Sequence, residues 1–350
     1  MYSLYSIKNL TYILNTNYKL IKSFDKKIKD IAKDCNNYIC NSDDSPKCDI
    51  KKIKGKNIYI VNEIENKVFL KALEYRLKKF YKIKIMHKND IIRSIRNIFK
   101  EENIKVIKTD IENFYESINL KTLLQKIKRD RVLSDVEFNF FKKIMDSCQI
   151  DYLPRGFSIS PLLAEIYMKS FDNKIIQNYK NIFYYARYVD DIIIFYYGEL
   201  KIDDIKLPDN LTFNQSKTEN NINDFEYLGY HFKDKKDISL SEKKIKKIKT
   251  RLLLSIHGFE KDKDEKLLED RIKFLTTNWK VKKNSRLYNG IYYNNMFITD
   301  SKDLVKLDQF LQSIYKCKYF FKRGFDKKIL TTDFNNTFDD IKKIWCKYGK

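Results

Sequence analysis

The chain has 350 residues, with 70 Lys and Arg against 47 Asp and Glu, a formal charge of +23. This length allows one catalytic core and a modest appendage rather than two full enzymes. The positive field attracts polyanions, nucleic acid above all, and makes their binding salt-dependent. Lys, Ile, Asn, Tyr and Phe are all abundant, so part of the lysine excess fits an A/T-rich coding bias. Lys far outnumbers Arg, so bidentate recognition rests on few residues.

Residues 1–34 read as one or two basic helices with scattered aromatics, and Met1 to Lys8 lack the apolar core of a signal peptide. No stretch is apolar and long enough to span a membrane, and a cytoplasmic location is expected. Residues 36–56 are polar, carry Ser45-Pro46 and Gly55, and read as a loop. Cys35, Cys40 and Cys48 cluster, but no fourth Cys or His completes a zinc set nearby. With Cys148, Cys317 and Cys346 they are expected to stay reduced. Helices are predicted over 62–82 and over 90–99, the second with Ile91, Ile92, Ile95 and Ile98 spaced for one face.

Residues 103–230 mix strand and helix patterns and hold the chemistry. Val106-Ile107-Lys108-Thr109-Asp110-Ile111 reads as a buried strand ending in a carboxylate, followed by Glu112-Asn113-Phe114-Tyr115-Glu116-Ser117-Ile118. In the segment from Leu153 to Met168, a Pro154-Arg155-Gly156 turn leads to Ser160-Pro161, read as helix N-cap and first helical residue. Tyr188-Val189-Asp190-Asp191 separates two strand-like runs, Phe183 to Arg187 and Ile192 to Tyr197. Asp is common in turns, so an isolated Asp-Asp pair means little. Paired carboxylates at a hairpin tip plus one at a strand end are instead the hard-oxygen inventory of a two-metal nucleotidyl-transfer site. Asn214-Gln215-Ser216-Lys217-Thr218 and Phe225-Glu226-Tyr227-Leu228-Gly229-Tyr230 follow. From Ser239 the pattern becomes helical: Ser241 opens a helix with Ile245, Ile248, Leu252 and Ile256 on one face. Further helices fit 265–276, 302–315 and 339–348, and no second set of clustered carboxylates follows.

In this order the segments resemble the polymerase motifs of reverse transcriptases, over roughly residues 85–235. The resemblance implies an α+β right-hand polymerase. Its helical N-terminal segment and fingers would span 1–102, the palm 103–235, and an α-helical thumb and C-terminal extension 236–350. It implies an RNA-directed DNA polymerase that adds dNTPs with two Mg2+ ions. Asp110, Ile111, Asp190 and Asp191 would be the metal-site residues, and Lys217 would protonate or neutralise the leaving pyrophosphate. Tyr115 would bar the ribose 2′-hydroxyl. Arg155, Gly156, Lys88 and Arg93 would contact substrate. Tyr188 would support the primer end, and Phe225, Tyr227, Leu228 and Gly229 would build the primer grip. Arg155 departs from the Gln or Thr that many relatives carry there.

The wording Asp-Ile-x-x-Phe-Tyr-Glu-Ser-Ile, Pro-Arg-Gly-x-x-Ile-Ser and Ala-Arg-Tyr-Val-Asp-Asp is similar to bacterial defence-associated and abortive-infection reverse transcriptases. So are Asn89 to Arg93, Gly290 to Asn295 and Leu304 to Asp308. No Val-Thr-Gly element follows residue 235, and no maturase or His-Asn-His nuclease segment fits the remaining length. That resemblance implies a non-coding RNA template, a DNA product and a role in antiphage defence, with a homo-oligomer or a second defence protein as further partner. Untemplated or protein-primed DNA synthesis and a catalytically inactive RNA-binding scaffold are the competing readings.

Overall fold

The structure is a computed structural model that describes residues 3–17, 20, 26–41, 46–53, 55–208, 211–280 and 288–328. The helix expected over 339–348, together with Cys346, lies outside the described residues.

In chain order the elements are α1 Ile7–Thr16, α2 Ile28–Asn41, β1 Cys48–Ile53, β2 Lys56–Val61, α3 Ile64–Phe80, α4 Lys88–Ile98 and β3 Lys105–Asp110. There follow α5 Phe114–Ser117, α6 Leu120–Arg129, α7 Asp135–Asp146, α8 Ser160–Asn178, β4 Ile182–Tyr188, β5 Asp191–Tyr196, β6 Asp224–Tyr227, β7 Tyr230–Lys233 and β8 Asp237–Leu240. The described chain closes with α9 Glu242–Asp262, α10 Glu265–Thr276, β9 Asn278–Lys280, β10 Tyr288–Gly290, α11 Ile291–Asn295, α12 Lys302–Ile314 and α13 Phe321–Gly324. Two compact units result, each discontinuous in sequence: residues 1–87 with 107–218, and 88–106 with 219–350.

The first unit is built on a three-stranded sheet in the order β3-β5-β4. Its central strand, Ile192-Ile193-Ile194-Phe195-Tyr196, is a continuous apolar run because both faces are covered. Helix α8 packs on β4 and on α3, and α1, α2 and α3 pack together. Buried Glu137 of α7 ties these layers. It completes a capping box with Ser134 and accepts the Leu4 amide at 2.7 Å and the Arg76 guanidinium at 2.7 Å.

The loop expected over 36–56 is a correction. Helix α2 runs to Asn41, and β1 pairs with β2 in an antiparallel hairpin, Cys48 opposite Val61 and Ile53 opposite Lys56. Strand β1 is exposed along most of its length, so its sequence lacks the apolar alternation that marks a half-buried strand. Tyr59 and Val61 of β2 supply the burial.

The second unit holds a three-stranded antiparallel meander, β6-β7-β8. Phe225 stacks on Phe232 with ring centroids 4.8 Å apart, and Phe99, just after α4, meets Phe232 edge-on at 5.3 Å. Its helical part closes over Leu252, Leu268, Ile272, Leu304, Leu307, Leu311 and Phe321, with Ile245, Ile248 and Ile256 against them. The apolar stripe predicted on α9 is therefore its packed face, and Ser241 caps that helix by accepting the Lys244 amide.

Candidate active site

Strands β4 and β5 are joined by Val189-Asp190, with Tyr188 paired opposite Asp191. Val189 has φ 63° while Asp190 is not left-handed, the sign pattern of a type II′ turn. Such a turn favours glycine at its first central position. A β-branched residue held there is a strained backbone of the kind that gathers at functional sites. The turn sets Asp190 at the hairpin tip and Asp191 at the first position of β5.

Backbone bonds lace the other motifs to this tip. The Ile111 amide donates to the Asp190 carbonyl at 3.2 Å, and the Asn214 amide donates to the Asp110 carbonyl at 2.9 Å. The Glu112 amide donates to Thr212, Ile111 bridges Phe213, and the hydroxyls of Thr109 and Thr218 lie 2.9 Å apart. Residues 211–218 thus form a rail along the end of β3, which brings Lys217 Nζ to 2.5 Å from Asp110 Oδ2. That hydrogen bond raises the Lys217 pKa against the opposing effect of burial, with the charges of Asp110, Asp190 and Asp191 adding to it.

Asp110 is buried, and its Oδ1 has no hydrogen-bond partner among the described residues. A buried carboxylate oxygen without a donor is costly unless a cation meets it. Three nearby carboxylates are hard oxygen donors suited to Mg2+. Among the described residues, however, no three acidic, His or Cys side chains converge closely enough to enclose a metal. The donor chemistry fits the ion, and Lys217 supplies a counter-charge to Asp110 in this arrangement.

Asn113, with φ 42°, turns the chain from β3 into the short α5, which carries Tyr115 and Glu116. Arg155 grips Glu116 through two bonds, Nε to Oε1 at 2.7 Å and Nη2 to Oε2 at 3.0 Å. Its guanidinium carbon also lies 4.9 Å from the Tyr115 ring centroid. Burial raises the Tyr115 pKa, while the charges of Arg155 and Asp190 both reach its hydroxyl. The backbone of Arg155 accepts the Tyr59 amide at 2.7 Å. Gly156 has φ 105°, and a Cβ there would stand 2.4 Å from the Tyr59 carbonyl oxygen. Glycine is required because β2 passes this close.

Ser160 is not the helix N-cap that its Ser-Pro sequence predicts. Ile159 occupies that position, Ser160 is the first residue of α8, and its hydroxyl donates to the Pro154 carbonyl at 2.6 Å. That bond closes the Pro-Arg-Gly turn, so tertiary bonding outcompetes local capping.

The sequence reading missed Arg187. Its side chain is 3% exposed and donates to Glu165 and Asp172 at 2.7–3.0 Å and to the Val189 carbonyl at 2.8 Å. Burial opposes its charge, but the bonds to Asp172 and Glu165 prevail and the pKa is raised. The signal was present: an Arg inside an apolar strand needs carboxylates, and Glu165 and Asp172, seven residues apart, share one face of α8.

Lys88, Arg93, Tyr227, Leu228 and Gly229 belong to the second unit. Leu228 and Gly229 have φ 46° and 82° and form the two-residue turn between β6 and β7, the pattern of a type I′ hairpin. Tyr227 is buried. Lys88 opens α4 and lies 5.5 Å from the Tyr230 ring centroid, as does Lys244 at 4.8 Å. Arg93 pairs with Asp90 at 2.7 Å and lies over Phe297.

The family model described as reverse transcriptase (RNA-dependent DNA polymerase) matches residues 46–232. No curated protein matches the chain. Among solved structures the chain is similar to telomerase from Candida albicans in complex with a TWJ fragment of telomeric RNA. Identity there is 12%, with 77% of this chain and 54% of that one covered, at a TM-score of 0.40. It is also similar to apo telomerase from Candida tropicalis truncated from the C-terminal domain, at 15% identity, 56% and 55% coverage and a TM-score of 0.37. The chain thus spans about half the length of both of these structures. With the motifs and the family match agreeing over the same stretch, the chain belongs to the reverse transcriptase (RNA-dependent DNA polymerase) family.

Proposed function

We propose that this chain is an RNA-directed DNA polymerase of the defence-associated group, extending DNA with dNTPs on a dedicated non-coding RNA. The observation that carries the reading is the lacing of Asp110 to the Asp190-Asp191 turn, with a buried Asp110 oxygen left for a cation. Asp110 and Asp190, with Asp191 and the backbone of Ile111, would hold two Mg2+ ions. Bound there, Mg2+ supplies activation of the primer 3′-hydroxyl and neutralises the leaving pyrophosphate.

The remaining roles fall to the chain's own groups. Lys217 Nζ, kept protonated by its carboxylate neighbours, gives its proton to the departing pyrophosphate. The Tyr115 ring fills the space a ribose 2′-hydroxyl would need. Tyr188 supports the primer end, and the Tyr227-Leu228-Gly229 turn grips the primer. The N-terminal helical segment and fingers would span 1–102, the palm 103–235, and the helical thumb with its C-terminal extension 236–350. The defence role rests on the wording of the motifs, Ala-Arg-Tyr-Val-Asp-Asp foremost.

The test is dNTP incorporation on a primed RNA with Mg2+, comparing wild type with Asp190→Ala/Asp191→Ala. Incorporation should vanish in the double variant while RNA binding persists. Wild-type rates in the double variant would remove the assignment. Sequencing the nucleic acid that copurifies with the chain identifies the template, and a product independent of any RNA would favour untemplated synthesis instead.

A further inference from the structure

We infer that Arg155 and Glu116 form a clamp that holds the Tyr115 ring in place, making Arg155 a positioning residue for sugar selection rather than a triphosphate ligand. The inference rests on the proposed polymerase reading and deepens it.

Arg155 has committed its guanidinium edge. Both bonds to Glu116 are of charge-assisted length, 2.7 and 3.0 Å, in the fork geometry that only arginine offers. Its guanidinium carbon lies over the Tyr115 ring, 4.9 Å from the centroid. Glu116 is the next residue along α5, so one guanidinium binds two successive side chains of the same turn. The pair is about three-quarters buried, with exposures of 25% and 29%. Partial burial opposes ionisation of Glu116, but the Arg155 bond, its own backbone bond and the charges of Arg155 and Lys56 hold its pKa below the usual carboxylate range.

The other side of the clamp is fixed by backbone. Arg155 accepts from the Tyr59 amide, and Gly156 lets β2 approach to a distance that no side chain tolerates. Tyr59 in turn shares a 2.6 Å hydroxyl contact with Tyr152. The ring of Tyr115 therefore contacts Phe114, 5.5 Å away edge-on, and the guanidinium of an arginine whose backbone is bonded to the β1–β2 hairpin. A tyrosine held by such contacts excludes a 2′-hydroxyl better than one that swings between rotamers, because steric exclusion requires the ring to stay.

The experiment is the ratio of catalytic efficiencies for dNTP and rNTP on one primed template, in wild type, Arg155→Gln, Glu116→Gln, the double variant, Tyr115→Ala and Tyr115→Ala/Arg155→Gln. Each clamp variant should lower the dNTP preference, on the order of ten-fold. The double clamp variant should fall little further than either single, since both act on one ring. In the Tyr115→Ala background, Arg155→Gln should leave the ratio where Tyr115→Ala puts it. An unchanged ratio in active single variants would overturn the clamp. A further change in the Tyr115→Ala background would overturn it differently, showing that Arg155 touches the nucleotide itself. A wild type that incorporates neither nucleotide class would instead overturn the polymerase reading, and the clamp with it.

Discussion

At the scale of single residues, the proposed chemistry concentrates where backbone and charge are both unusual. Val189 keeps a left-handed conformation that costs a β-branched residue of the order of 1–3 kcal/mol, and the turn it makes carries Asp190. Val189→Gly should therefore relieve strain and raise stability in thermal or denaturant unfolding. A clear loss of stability would mean that the Val189 side chain packs more than its backbone strains. On the proposed role of Tyr115 as sugar gate, Tyr115→Ala should bring the rNTP and dNTP efficiencies closer. An active variant with the wild-type ratio would remove Tyr115 from the nucleotide pocket. Asp110, Asp190, Asp191 and Tyr115 stand out in the sequence because each sits in a short motif of its own. Glu116, one residue further on, does not, because its partner Arg155 lies 39 residues away.

At the scale of elements, the β4–β5 hairpin is held from beneath by Arg187. Replacing it with Met leaves Glu165 and Asp172 of α8 without their shared guanidinium and takes the donor from the Val189 carbonyl. Both carboxylates keep some access to water, so the expected loss is at the lower end for a broken buried pair, about 3 kcal/mol. Denaturant unfolding measures it, and a loss below about 1 kcal/mol would show that the network is dispensable. In the second unit, burial and then the charge of Lys88 pull the Lys244 ammonium down from 10.5 to about 7. Between those values the unfolded chain binds a proton that the native chain lacks, so this group makes stability rise with pH across the window. Below about 7 both states are protonated and the contribution is flat. Lys244→Met should remove that rise, read as the difference between wild type and variant from pH 7 to 10. Parallel curves would mean that Lys244 titrates normally. The β1–β2 hairpin escaped the sequence reading since strand β1 is mostly exposed, whereas α4, α9, α10 and α12 lie within a few residues of their predicted spans, because each keeps a packed apolar stripe.

At the scale of the whole molecule, the charge of +23 should dominate affinity for nucleic acid. Each phosphate contact releases condensed counter-ions, so the logarithm of affinity should fall with the logarithm of salt, by about 0.7 per contact on single strands. A flat response between low and physiological ionic strength would mean that the lysine excess is compositional. None of the described helices is long and apolar enough to cross a membrane.

The sequence by itself determined the family, the identity and order of the carboxylates, and the helices with a strong apolar stripe. All of these are written in short motifs and their order along the chain, which survive without knowledge of what the motifs touch. It also marked Gly156 and the Asp190 turn, because a Pro-Arg-Gly turn before a helix and an Asp-Asp between apolar runs are local departures from pattern. Only the tertiary structure decided what those groups touch. The Lys217–Asp110 bond spans 107 residues of sequence, the Arg155–Glu116 fork 39 and the Tyr59–Tyr152 contact 93. Whether a given lysine or arginine is a solvated surface charge or half of a buried pair depends on which segment folds back against it. That choice is made by packing and desolvation, which no local window of sequence contains.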